Sequence, residues 1–458
     1  MQITKRSVLL ALLSIIALPI LPPSTSRSAT QEPDESRKSE SETVRFATFN
    51  VSFYRSEAGQ LQRELAKGNS EKPKKIAEII QRVRPDVILL NEFDYDSAGK
   101  GIECFQNNYL AKSQNGNPPS HYRYTFSAAV NTGVDSQQDL DGDGSTGTAN
   151  DAFGFGKFPG QYGMVVLSKY EIDQTGIRTF RNFLWKDMPA RLVPQNKDKQ
   201  PFYSNRIMDR FRLSSKSHWD IPIRINGKLI HFLVAHPTPP VFDGTEDRNG
   251  CRNHDEIRLL ADYVSKGRSD YIYDDSGRRG GLAPTEPFVI AGDMNADEND
   301  GDSTGKAARL LTDNPQINDS KPPKSTGGKH YSQTQGGVNS TQKGNPEWDT
   351  SDFGDNNVGN LRLDYCLPSA NLNVRSSGVF WPKPNEAGAS LIDATDHRLV
   401  WIDLQIDKLA NGWHHFSYQA TFLALEFLWL LLQYCETVPS GDHLKNNKKF
   451  INYLNYST

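Results

Sequence analysis

Apolar and polar residues alternate along VRFATFNV (Val44 to Val51), and the run is rich in β-forming residues, so it predicts a first strand. Pro73 then opens a stretch with Ile76, Ile79, Ile80 and Val83 at helical spacing, and Pro85 stops it. DVILLNEF (Asp86 to Phe93) is a continuous apolar run, the signature of a strand buried on both faces. The same texture recurs in GMVVLSKY, DIPIRI, KLIHFLVAHP, PFVIAGDMN, RLDYCLPS and HRLVWIDLQI, with helices expected from about His254 to Lys266 and around Ala307 to Leu311. Strands outnumber helices roughly two to one, which argues for mixed sheets with helices on their outer faces and against a strictly alternating parallel fold. The polar stretch from Pro315 to Asn360 lacks periodicity and reads as an extended surface loop. No internal repeat stands out.

The two ends differ from this body. Lys5 and Arg6 precede an apolar run from Val8 to Leu21 that is broken by prolines and followed by small residues to Ala29, so residues 1–29 are expected to be an export signal, with an uncleaved membrane anchor as the alternative. Residues 30–43 are dense in charge and serine and read as a disordered linker; residues 44–408 form the folded domain. The segment 409–458 carries a second apolar run, Tyr418 to Tyr434, interrupted by Glu426, which suits a docked amphipathic helix or a tail without catalytic duty. Secretion or a periplasmic location would place Cys104, Cys251, Cys366 and Cys435 in an oxidising compartment, where three pairings exist; for Cys366, in an apolar strand, a buried free thiol is equally open. Lys and Arg number 52 against 55 Asp and Glu, a net charge of -3, so no global basic field drives sequence-independent binding to nucleic acid, and no interleaving of aromatic and basic residues marks a strand groove.

Chemistry concentrates where apolar strands hand over to loops: Asn50, Glu92, His236, and the pair Asp293 and Asn295. Asp364 in RLDY and Asp396 with His397 in TDHRLVW join them from the C-terminal side. The oxygen ligands Glu92, Asp396 and Asn50 suit a hard divalent ion, Mg²⁺ or Mn²⁺. Asp293 is placed to orient or deprotonate a water, Asn295 to donate to developing charge, Asp364 to fix the tautomer of His397, and His236 to act as a second donor. Each also has a structural alternative: a cap or loop anchor for the carboxylates, a turn for the asparagines, a buried hydrogen-bonded pair for Asp364 and His397.

The ordered set VRFATFNV, VILLNEFD, FLVAHPTPP, VIAGDMNA, RLDYCLPS and TDHRLVW resembles the endonuclease/exonuclease/phosphatase superfamily over roughly Val44 to Ile406, and QYGMVVLSKY, LSSKSHWD and HPTPPVFDGTEDRNGCRNHDEIR look like a secreted bacterial branch of it. The resemblance implies a four-layer α/β sandwich, two mixed β-sheets face to face with helices outside, and carries the roles above onto the matching positions. Ser52, Asn91, Thr395 and Pro237 depart from the commoner residues at their places. The implied function is an exported metal-dependent phosphoesterase acting on a nucleotide, nucleic acid, sugar phosphate or phospholipid head group, a monomer with no stable protein partner. The rival is an inactive, calcium-stabilised binding module on the same scaffold.

Two further signals lie outside that set. DLDGDG (Asp139 to Gly144) places Asp139, Asp141 and Asp143 at alternate positions like the start of a calcium loop, although Asn150 stands where a glutamate would close it. Arg206, Lys216, His218, Arg248 and Arg252 are candidate holders of substrate phosphate, or solvated surface charge.

Overall fold

A computed structural model describes residues 41–408. The expected signal, most of the linker and the C-terminal segment lie outside the described residues. The first strand, β1 (Ser41–Phe53), begins three residues earlier than the sequence predicts, because Ser41, Glu42 and Thr43 pair antiparallel with Asp407, Ile406 and Gln405 of the last strand. Backbone pairing with a partner over 350 positions away outweighs the polar composition of those three residues.

Fourteen strands are described, six in each of two large sheets and two in a small ribbon. They are β1, β2 (Val87–Phe93), β3 (Tyr124–Phe126), β4 (Met164–Ser168), β5 (Glu171–Ile172), β6 (Arg178–Thr179), β7 (His218–Ile225), β8 (Lys228–Ala235), β9 (Phe288–Asp293), β10 (Ser351–Asp352), β11 (Asn360–Leu361), β12 (Asp364–Pro368), β13 (Asn373–Val379) and β14 (Val400–Asp407). The first sheet runs β13-β14-β1-β2-β4-β3 and the second β12-β9-β8-β7-β5, with β6 also on β7. Each sheet has one parallel pair near its middle, β1 with β2 and β8 with β9, flanked by antiparallel neighbours. Mixed sheets are what the expected texture implied.

Alternate residues of the central strands enter different cores, which is why those strands read as unbroken apolar runs. Val87 and Leu89 of β2 face Phe232, Val234 and Val289 across the inter-sheet core, whereas Ile88 and Leu90 meet the outer layer of helices α1 (Gln60–Lys67) and α2 (Glu71–Val83). On the other side, Leu233, Ala235 and Ile290 pack under helix α3 (Arg248–Val264). Helices, sheet, sheet, helices: the described residues form a four-layer sandwich.

The expected loop between 315 and 360 holds helix α4 (Thr326–Gln335). TGGKHYSQTQ has poor intrinsic helix propensity. The Ser325 side chain accepts the Gly328 N–H at 2.9 Å, Tyr331 stacks on Trp381 at 5.9 Å, and Gly327 lies so close to the Trp381 carbonyl that a Cβ there would sit 1.9 Å from it. Capping and packing override the sequence signal. Cys104, Cys251 and Cys366 form no disulfide, and no helix of the described residues is long and apolar enough to cross a membrane.

Candidate active site

The two parallel pairs end at the same place. Asn50 closes the regular part of β1, and between Asn50 and Phe53 the register with β2 shifts, a bulge in which Ser52 (φ 48°) and Glu92 (φ 59°) both take left-handed backbone. Non-glycine residues hold that conformation only where surroundings fix it, and bulges re-aim side chains. From the second sheet, β9 ends in Asp293, and Gly292 before it leaves no room for a side chain, since a Cβ would lie 2.0 Å from the Ala235 carbonyl of β8. That close approach brings Asp293 beside His236, the residue after β8.

Asp293 is the hub. Its Oδ2 accepts Asn50 Nδ2 at 3.0 Å and stands 3.5 Å from both His236 Nε2 and His397 Nε2; its Oδ1 accepts the Asn295 N–H at 2.9 Å. Asn295, itself at φ 51°, donates its side-chain amide to the Pro237 carbonyl at 3.1 Å. His397 Nδ1 lies 2.7 Å from Asp364 Oδ2, and Thr350 Oγ1 donates to that same oxygen at 2.9 Å while accepting the Asp364 N–H. Asp293, Asp364, His236 and His397 are all buried. Glu92 hydrogen-bonds Asn50 and is half-buried, and Asp396 is exposed. Six of the eight residues singled out on chemical grounds are thus joined through Asp293, and Glu92 follows through Asn50. Asp396 joins through its neighbour Thr395, whose hydroxyl donates to the Asn50 carbonyl.

The two histidines are driven to opposite charge states. Burial, the Lys216 charge and the His397 charge together hold His236 well below the ordinary histidine range, so it is neutral. Burial also opposes charge on His397, but Asp364 and Asp293 outweigh it and push the imidazole up to about 10. The His397–Asp364 pair is an imidazolium beside a carboxylate. Burial, with the Asp293 charge adding to it, pushes Glu92 up to about 7. A carboxylate so poorly compensated, next to exposed Asp396 and the Asn50 amide, is a donor set of oxygens that suits a hard divalent cation. One oxygen of Asp364 and the Nδ1 of His236 are buried without a partner.

Of the candidate phosphate holders, Lys216 is buried near the cluster, its ammonium held down by burial and its charge felt at Glu92 and His236. The structure does not bring the others in. His218 spends its nitrogens on Ser214 Oγ (2.6 Å) and the Glu256 carbonyl (2.9 Å). The buried Arg252 donates to the carbonyls of Leu213, Phe153 and Arg212, and Arg248 pairs with Glu246. Their donors are committed to the fold, so none can grip a ligand without breaking it. Arg206 is exposed on a short helical turn. Asp139, Asp141 and Asp143 do cluster, in a separate loop.

Sequence reasoning missed Thr350, Lys72 and Tyr54. Thr350 lies in the stretch expected to be a loop. Lys72, whose ammonium donates to the Ser52 carbonyl at 2.9 Å, and Tyr54 both feel the charges of Glu92 and Asp396. No motif marks these three; only their position after folding does.

Residues 47–397 match the profile of the Endonuclease/Exonuclease/phosphatase family, whose members hydrolyse phosphoesters with divalent metal ions. Among solved structures, the chain is similar to an endonuclease/exonuclease/phosphatase from Beutenbergia cavernae (16% identity, 80% of this chain and 72% of that one, TM-score 0.39). A family protein from Leptotrichia buccalis is similar at 16% identity (79% and 100%, TM-score 0.40), and one from Bacteroides thetaiotaomicron at 12% (80% and 99%, TM-score 0.42). No curated protein matches the chain. With the profile spanning most of the sequence and the six motifs converging on one site, the chain belongs to the endonuclease/exonuclease/phosphatase family.

Proposed function

We propose that the protein is an exported, metal-dependent phosphoesterase that hydrolyses a phosphodiester or phosphomonoester by attack of an activated water. The observation that carries this reading is the convergence of neutral His236 and charged His397 on Asp293, each at 3.5 Å, beside Glu92. Groups whose surroundings drive their proton affinities apart are suited to different steps of one proton transfer.

Glu92, Asp396 and the Asn50 amide would hold Mg²⁺ or Mn²⁺, which when bound supplies neutralising charge at the phosphoryl oxygens and the leaving oxygen. Asp293 accepts a proton from the attacking water or orients it, within reach of both imidazoles. His397, kept protonated by Asp364, offers positive charge to the phosphoryl group as negative charge builds. His236 and Asn295 act as neutral donors. Lys216 adds a buried positive field behind Glu92. Export rests on Lys5, Arg6 and the apolar run that follows them. Asp139, Asp141 and Asp143 we take as a separate, weak calcium loop.

Purified protein with Mg²⁺ should cleave bis-p-nitrophenyl phosphate or p-nitrophenyl phosphate, and Glu92→Gln and His397→Ala should each lower kcat by about 10²- to 10⁴-fold. Activity unchanged by both substitutions would end the assignment of roles.

A further inference from the structure

Three aromatic rings from two loops meet at the strand ends that follow Asn50 and Glu92. Tyr54 and Tyr162 have ring centroids 4.7 Å apart with planes inclined at 36°, and Phe155 stands 6.3 Å from Tyr162 at 42°. Tyr54 is 42% exposed and Phe155 53%, two of the five large hydrophobic side chains that the described residues leave to solvent. Tyr54 follows Ser52 at the end of β1, and Tyr162 precedes Met164, which pairs with Asn91 of β2. Burial, then the Glu92 charge, raises both tyrosine hydroxyls, and Asp396 adds to the effect at Tyr54. Phe93, next to Glu92, donates its N–H to the Gly163 carbonyl at 3.0 Å, so Tyr162 sits at the strand end that carries Glu92, with Tyr54, four residues beyond Asn50, against it.

Buried polar groups hold this exposed surface from beneath. Gln161, 2% exposed, donates to the Arg55 carbonyl at 2.6 Å and accepts the Lys157 N–H at 2.7 Å. Asp94, 7% exposed, accepts the N–H groups of Arg55 (2.8 Å) and Tyr162 (3.1 Å), and so ties the segment of Tyr54 to that of Tyr162. Tyr162 is kept at φ 57°, in the left-handed region. Core packing does not call for rings that are both solvent-facing and fixed. Rigid aromatic faces next to a reaction centre serve recognition.

We propose that Tyr54, Tyr162 and Phe155 form a stacking shelf for a planar ring that the substrate carries close to its scissile phosphate, which makes the substrate a nucleoside-type phosphoester. The proposal rests on the phosphoesterase reading above. Every nucleobase has a π face, and stacking on aromatic side chains recognises it without hydrogen-bond readout. A quaternary ammonium would instead need rings set as steep walls around it. Here Tyr162 leans 36° from Tyr54 and 42° from Phe155, so its neighbours adjoin it as tilted faces and neither stands as a steep wall against it.

Titration calorimetry of the full chain with Mg²⁺ tests the shelf, using adenosine 5′-monophosphate, ribose 5-phosphate and phosphocholine as probes. The nucleotide should bind at least about tenfold more tightly than the ribose phosphate, Phe155→Ala should bring that ratio close to one, and Phe155→Tyr should keep it. Equal affinities in the wild type, or a ratio that survives both Phe155→Ala and Tyr54→Ala, would overturn the shelf. So would phosphocholine being the probe that Phe155→Ala weakens, which would make the rings a cation cage. Glu92-dependent hydrolysis of bis-p-nitrophenyl phosphate alongside a ratio of one removes the shelf and leaves the phosphoesterase standing. No hydrolysis of any phosphoester removes both.

Discussion

Among the described residues, two places gather three groups of ligand type within the same short span: Asp293, Asp364 and His397 in the core, where the charged imidazole itself supplies the positive charge, and Asp139, Asp141 and Asp143 in a surface loop. In the loop, the carboxylates turn back on their own backbone. Asp139 accepts the N–H groups of Gly142 and Gly144, Asp141 that of Asp143, and Asp143 that of Ser145. These are local turns that water can replace. In the core, each group is held by a residue from a distant part of the chain, and an unmatched charge has no solvent to relax it. Equal ligand counts therefore mean different things: the loop spends little to form, whereas the core cluster persists only because sheets, bulge and ion pairs hold it.

The sharpest way to break this contrast is to remove a carboxylate from the core. Asp364→Asn takes away the largest influence holding His397 charged. The protonated imidazolium is the working form, so activity should be present below its pKa and disappear as pH rises through it, near 10 in the wild type. In Asp364→Asn that upper limb should move down by more than one pH unit, with kcat at pH 9 lowered about 10²-fold or more. A pH–rate profile with an unmoved upper limb would show that Asp364 only packs against the ring. Thr350→Val should move the limb in the same direction by less, because the hydroxyl merely orients Asp364.

Next in size is the cost of the site itself. Glu92 has a folded-state pKa of about 7 against an ordinary value near 4.5. The unfolded chain therefore releases this proton at lower pH than the fold does, and the metal-free protein loses stability as pH climbs from about 4.5 to 7. With half-burial discounted, Glu92→Gln should stabilise the metal-free protein by about 2 kcal/mol at pH 8 and by almost nothing at pH 4. Urea melts in chelator measure this, and equal gains at both pH values would contradict it. Conversely, Mg²⁺ affinity of the wild type should fall up to about tenfold per pH unit below 7, as protons compete for Glu92.

Much of this was readable from residue order, and the failures have physical causes. β1, β2, β4, β7, β8, β9, β12 and β14 announced themselves as apolar runs because each lines one or two cores. Asn50, Glu92, His236, Asp293 and His397 were legible because they interrupt such runs at their ends. Thr350 was not, since a threonine among polar residues carries no pattern, and its role exists only once β12 lies beside it. His218 and Arg252 misled for the opposite reason: a cation in sequence looks available, and only the fold reveals the carbonyls that occupy it. Tyr54, Phe155 and Tyr162, up to 108 positions apart, could meet only through the pairing of β2 with β4.

The smallest effect belongs to the loop. Asp151, one residue past the closing position, is fully buried and turned inward, accepting from Leu140 and Thr148. Asn150 donates its amide to Asp141 and so meets that carboxylate with a hydrogen-bond donor. A shell missing its bidentate member should bind calcium only in the millimolar range. Asp141→Asn should shift stability by less than about 0.5 kcal/mol, as expected of a surface substitution, and leave hydrolysis untouched. Calorimetry returning micromolar calcium affinity, abolished by Asp141→Asn, would show that the loop is organised for a cation as firmly as the core is, and the contrast between the two clusters would fall.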